Sequence, residues 1–523
     1  MQIDLNNLTP EIAAYIKSLE TKNTELQSEN EKLKQQNANL TELIVKSQKK
    51  MFGKSSESIG NIEGAEQLTL FNEAEQEYSA AAPEPTKETL VASHTRKAKR
   101  TKEELTEKLE HREMVCDLED KHCKECGEEL VCIGKEFVRS ELNIIPAQVF
   151  VVDIYRKVYK CAKCEEKNLA ADIIKAEPPV PVMKKSMATP ATVAYVMQQK
   201  YQLGVPLYRQ EQYWKSESVE LNRNTLANWI IRSSMWFEPL WKRMQEILLK
   251  EDIIHADETP LRVLKRNGQQ VDGQSRMWVF CSGQYSEHKM ALYYHHATRS
   301  ARVVEQILGD YSGYLQTDGC PSYNAAIKAT HIGCWAHARR KWVECLPKGI
   351  DDKNSKSAQA LELIERIFDA DRGFEAMPTD EIYAKRQEIL KPLLDEYWKL
   401  LETIDAPKGS NLYKAVVYSV NQKQMLNDVL LDGRLELTNN RAERAIKPFV
   451  MGRKNWLFSD TDKGADASAR CYSIIESAKL NDLNVFGYLT HLLTELPKLG
   501  TAPTSEQLDT LMPWADSLPD YCK

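Results

Sequence analysis

The sequence predicts a multidomain α+β protein, helical at its N-terminal end, α/β in its middle and helical again toward its C-terminus. Three patterns carry that expectation. An apolar residue recurs every seven positions through residues 12–44, two C-x2-C pairs stand at 123–126 and 161–164, and after residue 250 helical periodicity gives way to strand-like runs. At 523 residues the chain has length for several domains, each with its own core. Charged residues make up 28% and hydrophobic ones 42%, the balance of a globular chain in water. The net charge of −6 excludes a uniformly basic polyanion binder but leaves local basic patches open. The first twenty residues lack a basic segment followed by an apolar core, so no signal peptide is expected. No apolar run is long enough to span a bilayer. A cytoplasmic location follows, where twelve cysteines read as thiols and metal ligands rather than disulfides.

Ile12, Leu19, Leu26, Leu33 and Leu40 share one position of the repeat; Ile16, Asn23, Asn30, Asn37 and Ile44 lie four residues later. This is the seam of a leucine-zipper coiled coil over residues 1–50, and asparagine at that second position fixes register and favours two parallel strands. A single amphipathic helix packed on its own domain is the alternative. Residues 51–112 read as a linker: "MFGKSSES", an Ala/Pro/Glu-rich stretch, then the basic run "TRKAKRTK", either a solvated face or a phosphate-contacting arm. In 113–176, Cys123 and Cys126 of "CKEC" and Cys161 and Cys164 of "CAKC" bracket strand-like runs such as "AQVFVVDIYRKVYK". Two thiolate pairs suit one tetrahedral structural zinc in a zinc ribbon, with no open position for chemistry; a redox pair is the rival. Cys116 and Cys132 fall outside the pairing.

Residues 177–250 read as helices. "ATVAYVMQQKYQLG" stops at Gly204 and "PLYRQEQYWKS" restarts at Pro206. In "VELNRNTLANWIIRSS", Asn222 suits an N-cap; Arg223, Asn224 and Asn228 fall on one side of the helix, and Leu226, Trp229 and Ile230 on another. A short helix, a turn and a polar-faced helix form the helix-turn-helix pattern, and Arg and Asn read guanine and adenine edges. Small helical domains without DNA carry the same pattern, so the residues alone leave both readings open.

After residue 250, "DIIHADETPLRVLKR", "RMWVFCSG" and "KMALYYHHA" read as strands. "SARVVEQILGDY" reads as a helix, "GYLQTDGCPSYN" as a fourth strand ending in an acid, and a further helix precedes "HIGCWAHARRKW". Three strands, a helix, a fourth strand and more helix is the order of a ribonuclease H-like fold, in which the middle of the first strand lies beside the end of the fourth. Asp257 and Asp318 would meet there. Two carboxylates held together repel, and divalent cations resolve the repulsion. Oxygen ligands suit Mg²⁺, and two such ions can activate an attacking oxygen and stabilise a leaving one at a phosphodiester. A third acid is expected, and "LTNNRAERAIKPFVMGRKNW" offers Glu443 near a helix start that Asn439 or Asn440 can cap. Arg441, Arg444, Lys447, Arg453 and Lys454 follow, a set suited to a phosphate backbone. Taken alone, Glu443 could equally be a salt-bridge partner of those cations.

Here the sequence resembles a transposase of the insertion-sequence-66 family, within the DDE transposase superfamily. The resemblance rests on the joint order of the zipper, "MFGKSSE", the two C-x2-C pairs, "YQLGVPLYRQEQYW", "LNRNTLANW", "ADETP", "TDGCPSYN", "CWAHARRKW", "NNRAERAIKPFVMGRKNWLFS" and "SIIESAKLNDLNVFGYL". It implies Asp257, Asp318 and Glu443 as the catalytic ligands of two Mg²⁺ ions, with Mn²⁺ as a possible substitute. Thr438 stands where the family often has Asp, and Asn222 and Asn224 where serines are common. The resemblance also accounts for the long stretch between Asp318 and Glu443. The catalytic core is expected over 251–345 and 435–470, an all-α insertion over 346–434 and a helical region over 471–523. The insertion would contact DNA or act as a scaffold positioning the Glu443 helix.

In "CWAHARRKW", Cys334 and His337 alone make a weak metal pair. His337, Arg339 and Arg340 are expected to face DNA or support the active site, and Trp335 and Trp342 to lie in the core. Asn440 joins Arg444, Lys447, Arg453 and Lys454 as an expected DNA contact. The expected activity is metal-dependent cleavage at the ends of an insertion sequence, then transfer of the 3′-hydroxyl ends into target DNA. Its partners would be terminal inverted repeats and target DNA, a second copy joined through the coiled coil, and accessory proteins encoded by the same element. Two other readings use the same residues: a nuclease of the same fold that does not join DNA, and a DNA-binding regulator with an inactive catalytic domain.

Overall fold

The computed structural model describes residues 149–160, 173–271, 273–346 and 355–523, with residues 18–19, 21–27 and 29 near the N-terminus. The linker, the basic run, Cys123, Cys126, Cys161, Cys164 and most of the heptad repeat lie outside the described residues. The chain divides into two units, Met1–Gln148 and Val149–Lys523. In the first, residues 21–27 are helical, and Leu19 and Leu26 of the repeat are exposed on the single chain.

The first strands of the second unit are β1 (Val158–Lys160) and β2 (Ile173–Lys175), an antiparallel pair that falls within the 113–176 segment expected as the zinc-binding domain. Four helices follow: α1 (Pro190–Tyr201), α2 (Leu207–Ser216), α3 (Arg223–Ser233) and α4 (Phe237–Leu248). Pro190 sits in the first turn of α1, where a missing N–H costs nothing, and Thr189 caps it. Asn222 caps α3, its Oδ1 accepting from the Thr225 main chain at 2.8 Å. Leu226, Trp229 and Ile230 are buried beneath that helix, while Arg223, Asn224 and Asn228 face out.

Seven strands form the main sheet. β3 (Ile253–Arg266) turns at Asn267 and Gly268, both at positive φ, into β4 (Gln269–Gln270). An Asn-Gly pair is suited to that two-residue hairpin. β5 (Gln274–Ser282), β6 (Ala291–His296), α5 (Ala301–Leu308), β7 (Tyr314–Gln316) and β8 (Thr330–Ile332) follow. The order across the sheet is β6-β5-β3-β7-β8. β5 runs antiparallel to β3, and β6 antiparallel to β5. β7 is parallel to β3, and β8 to β7. The segment expected as a helix before "HIGC" is instead a 3-10 turn, Pro321–Ala325, leading into the three-residue β8.

α6 (Trp335–Val343) precedes the helical insertion, whose elements are α7 (Lys356–Arg372), α8 (Thr379–Lys385), α9 (Lys391–Glu402), α10 (Asn411–Asn421) and α11 (Lys423–Asn427). Trp335 and Trp342 are fully buried, with Ile364, Tyr397 and Leu426, in a second core that also takes in Ile253 of β3 and Ile332 of β8. The chain returns through α12 (Asn440–Trp456), β9 (Ser459–Thr461), α13 (Asp462–Leu480), α14 (Val485–Leu499) and α15 (Ser505–Asp509). β9 lies parallel to the far end of β3. The domain boundary expected at residue 470 falls inside α13, so the C-terminal region is continuous with the sheet's own covering. Its Ser473 and Ser477 hydroxyls accept from the Tyr293 and Ala291 main chains at 2.8 and 3.0 Å. Edge strand β6 thus gives two of its outward N–H groups to a helix that covers the edge, which hinders pairing with another chain. Among the described residues no helix is long and apolar enough to cross a membrane.

Candidate active site

Register places the first two acids. His255 of β3 pairs with Gln316 of β7, and the two strands run parallel. Asp257, still within β3, and Asp318, just past the end of β7, each lie two residues further on, so they stand at matching positions on neighbouring segments. Their side chains are held differently. Asp257 Oδ1 accepts from the Glu258 main chain at 2.8 Å. Asp318 Oδ1 accepts from the Cys320 main chain at 2.9 Å, an Asx turn fixing the loop after β7. The insertion buttresses that loop: Tyr418 of α10 donates to the Asp318 carbonyl at 3.0 Å. Gln422 packs so closely on Gly319 that a Cβ there would stand 2.9 Å from its side chain.

Alternation along β3 sends His255, Asp257 and Thr259 toward α12 and Glu258 the other way. Asn439 joins β3 to α12. It is fully buried, its Nδ2 donating to the Ala256 carbonyl at 2.8 Å and its Oδ1 3.2 Å from His255 Nδ1. Asn439 occupies the N-cap position of α12 but makes no side-chain cap bond, because its amide is spent on β3. Burial lowers the His255 pKa to about 4, so the ring is neutral at neutral pH. With the Asn439 amide donating elsewhere, Nδ1 carries the proton that meets Oδ1. One turn into α12, Glu443 closes the group.

Burial pushes the Asp257 carboxyl up to about 8; the Glu258 N–H opposes the shift, while the charges of Glu258, Asp318 and Glu443 add to it. The other two expected acids, Asp318 and Glu443, therefore both act on the buried Asp257 carboxyl. Glu443 Oε1 is buried without a hydrogen-bond partner. A buried carboxylate oxygen lacking a donor is suited to a cation. The cleft over the site, about 530 Å³, is lined by Asp257, Glu258, His337, Arg340, Asn440, Glu443, Arg444 and Lys447, among others. Asn440, Arg444 and Lys447 stand at helical spacing on one face of α12.

The other expected DNA contacts stand apart from the cleft. Arg339 is turned onto the insertion, with Nη2 2.5 Å from Glu365 Oε1. Arg453 Nη1 donates to Thr259 Oγ1 at 3.2 Å, and Lys454 is exposed near the end of α12. Arg223, Asn224 and Asn228 remain on the open face of α3.

Glu258, the neighbour of Asp257 along β3, has a structural task of its own. Its side chain is 1% exposed and pairs with Arg299, whose Nε donates at 2.6 Å, while Tyr323 donates to the other oxygen at 2.7 Å. Burial raises its pKa, with the Tyr323 and Arg299 bonds opposing. Ser322 in turn donates to the Arg299 carbonyl at 3.0 Å. Glu258 thus ties the segment before α5 and the turn after Asp318 onto β3. Arg299→Ala leaves that carboxylate short of its cation. Breaking a buried pair costs about 3–5 kcal/mol; because Arg299 is itself 45% exposed, we expect about 2 kcal/mol, read by urea denaturation. A loss below about 0.5 kcal/mol, the scale of a surface pair, would contradict the clamp.

Comparison with known proteins adds identity to this geometry. Residues 185–467 match the family described as Transposase IS66 family. Residues 120–165, which hold all four expected zinc cysteines, match the zinc-finger binding domain of transposase IS66. Residues 473–514 match the IS66 C-terminal element, and 39–114 the family described as Transposase C of IS166 homeodomain. Relatives in Sinorhizobium fredii (strain NBRC 101917 / NGR234) include the uncharacterized protein y4jD, 29% identical over 78% of this chain and 81% of its own length. The uncharacterized protein y4qI is 27% identical over 91% and 88%. No solved structure matches the chain. A family match over more than half of its length, across the strands and helices that carry the acidic cluster, shows that this chain belongs to the IS66 family of transposases.

Proposed function

We propose that the protein nicks DNA at the ends of an insertion sequence and joins the freed 3′-hydroxyl ends to target DNA, with Asp257, Asp318 and Glu443 as the ligands of two Mg²⁺ ions. The observation that carries this reading is the equal offset of Asp257 and Asp318 along two parallel strands, with Glu443 brought to the same buried carboxyl by α12. The strand order β6-β5-β3-β7-β8, with its three antiparallel strands and two parallel ones, supports a ribonuclease H-like core.

When bound, divalent ions there would activate the attacking oxygen and stabilise the leaving one. The chain's own residues do the positioning. Asp257 and Asp318 are oriented by main-chain donors, Asn439 fixes the start of the helix that carries Glu443, and Glu258 holds the turn that carries Asp318. Arg340, Arg444 and Lys447 supply cationic groups around the cleft for the DNA backbone. Arg223, Asn224 and Asn228, free on the capped helix α3, would read base edges at the terminal repeats together with the zinc module of Cys123, Cys126, Cys161 and Cys164. The heptad repeat would pair two copies so that both ends are held in one complex. Accessory proteins from the same element would complete it.

The test uses full-length protein, Mg²⁺ and labelled DNA carrying the sequences that flank the gene, with target plasmid added. Nicking at the element boundary and joined product are expected. Nicking that never leads to joining would favour a nuclease of the same fold; binding without nicking in Mg²⁺ or Mn²⁺ would favour a regulator.

A further inference from the structure

Glu443 has neighbours that Mg²⁺ chemistry does not use. The Sγ of Cys334, a ring nitrogen of His337 and a carboxylate oxygen of Glu443 all lie within 4.8 Å of one another. His337 Nδ1 is 3.6 Å from Glu443 Oε1, and both atoms are buried without a hydrogen-bond partner. Cys334 is 1% exposed, and its Sγ accepts from the Asn439 main chain at 3.2 Å. Around tetrahedral zinc, with Zn–S of about 2.3 Å and Zn–N of about 2.0 Å, ligand atoms sit about 3.5 Å apart. The His337–Glu443 separation already matches, and small rotations close the rest.

We propose that Cys334, His337 and Glu443 form a second metal site, for one thiophilic divalent ion such as Zn²⁺, and that its occupation withdraws Glu443 from Asp257 and Asp318. The chemistry of the donors separates the two sites. Thiolate and imidazole select zinc and its neighbours over Mg²⁺, whereas Asp257 and Asp318 offer only oxygen. Three protein ligands leave a fourth position to water. The sulfur exchanges its proton for the metal, and that proton leaves to solvent. The imidazole stays neutral: its proton moves from Nδ1 to Nε2, which now accepts from Arg340 at 3.3 Å, and the guanidinium must turn away. Binding therefore alters two groups of the cleft at once, Glu443 and Arg340. The inhibitory consequence rests on the reading of Glu443 as third carboxylate; the binding site itself does not.

The experiment titrates full-length protein, purified with the zinc it already holds, with Zn²⁺ in Mg²⁺ buffer against a fluorescent zinc indicator. Wild type should take up one equivalent per chain more than Cys334→Ser or His337→Gln. Serine keeps an acceptor for the Asn439 N–H, and the half-buried His337 provides a variant independent of the core. Equal uptake by all three proteins overturns the site, as does a loss confined to one variant. Nicking with and without Zn²⁺ is then compared within each protein. Wild type should be inhibited at zinc concentrations at least about tenfold below those needed for either variant, since losing even an outer-shell partner of a metal ligand costs about that much affinity. Equal inhibition overturns the withdrawal of Glu443. Should no protein nick DNA at all, the proposed reaction fails, while the uptake measurement still decides the site.

Discussion

Asp257→Asn is expected to abolish end nicking, by at least about 10³-fold, without harming the fold. The substitution conserves shape and removes one ligand from an ion asked to supply several kcal/mol of transition-state stabilisation; about 4 kcal/mol corresponds to that factor. Stability should move the other way. Burial holds the Asp257 pKa near 8, well above its unfolded value. A group raised on folding contributes stability that is fully present below its unfolded pKa and is lost as pH rises to the folded one. Metal-free wild type should therefore weaken from about pH 4 to 8 relative to Asp257→Asn, which has no carboxyl to ionise. Urea denaturation at both ends of that window reads the difference. A variant less stable than wild type at pH 8, or one that still nicks DNA, would contradict the assignment.

Asn439→Ala carries the second large effect. Alanine leaves the Ala256 carbonyl and His255 Nδ1–H without partners in a fully buried place. Each orphaned group costs about 1–3 kcal/mol, so about 2–6 kcal/mol of stability should be lost. Activity should fall further than stability explains. The same amide fixes the first turn of α12 against β3, and Glu443 rides on that turn. At a temperature where both proteins are folded, the variant should nick at least about tenfold more slowly, with Mg²⁺ affinity reduced. Unchanged nicking by a destabilised variant would make Asn439 a core residue with no positioning role.

The meeting of Asp257 and Asp318 was legible because strand alternation and element order are written locally, although the register of β3 on β7 is not. The buried face of α3 and its asparagine cap were legible for the same reason, since helix period and capping act over a few residues. Trp335 and Trp342 followed from size and apolarity. What escaped depends on partners far along the chain. Asn439 reads as a helix cap, and it stands at the cap position, yet its amide is taken by β3, which lies far back in the sequence. Arg339 reads as a phosphate contact until Glu365 of the insertion comes beside it. Glu258 meets Arg299 and Tyr323 only once α5 and the turn after β7 fold over. β8 is too short for its pattern to announce a strand, and no local rule says that serines of α13 will cap an edge strand. Glu443 lies between: its cationic surroundings fitted a salt bridge equally well, and its place beside Asp257 depends on α12 crossing the sheet.

The central claim is that Asp257, Asp318 and Glu443 hold their ions jointly. It is tested most directly by Mn²⁺ binding to the full-length protein with end DNA bound, counted by electron paramagnetic resonance. Wild type should hold two ions tightly, and Asp257→Asn, Asp318→Asn and Glu443→Gln should each lose at least one. Undiminished Mn²⁺ binding in any of the three variants would contradict the shared site.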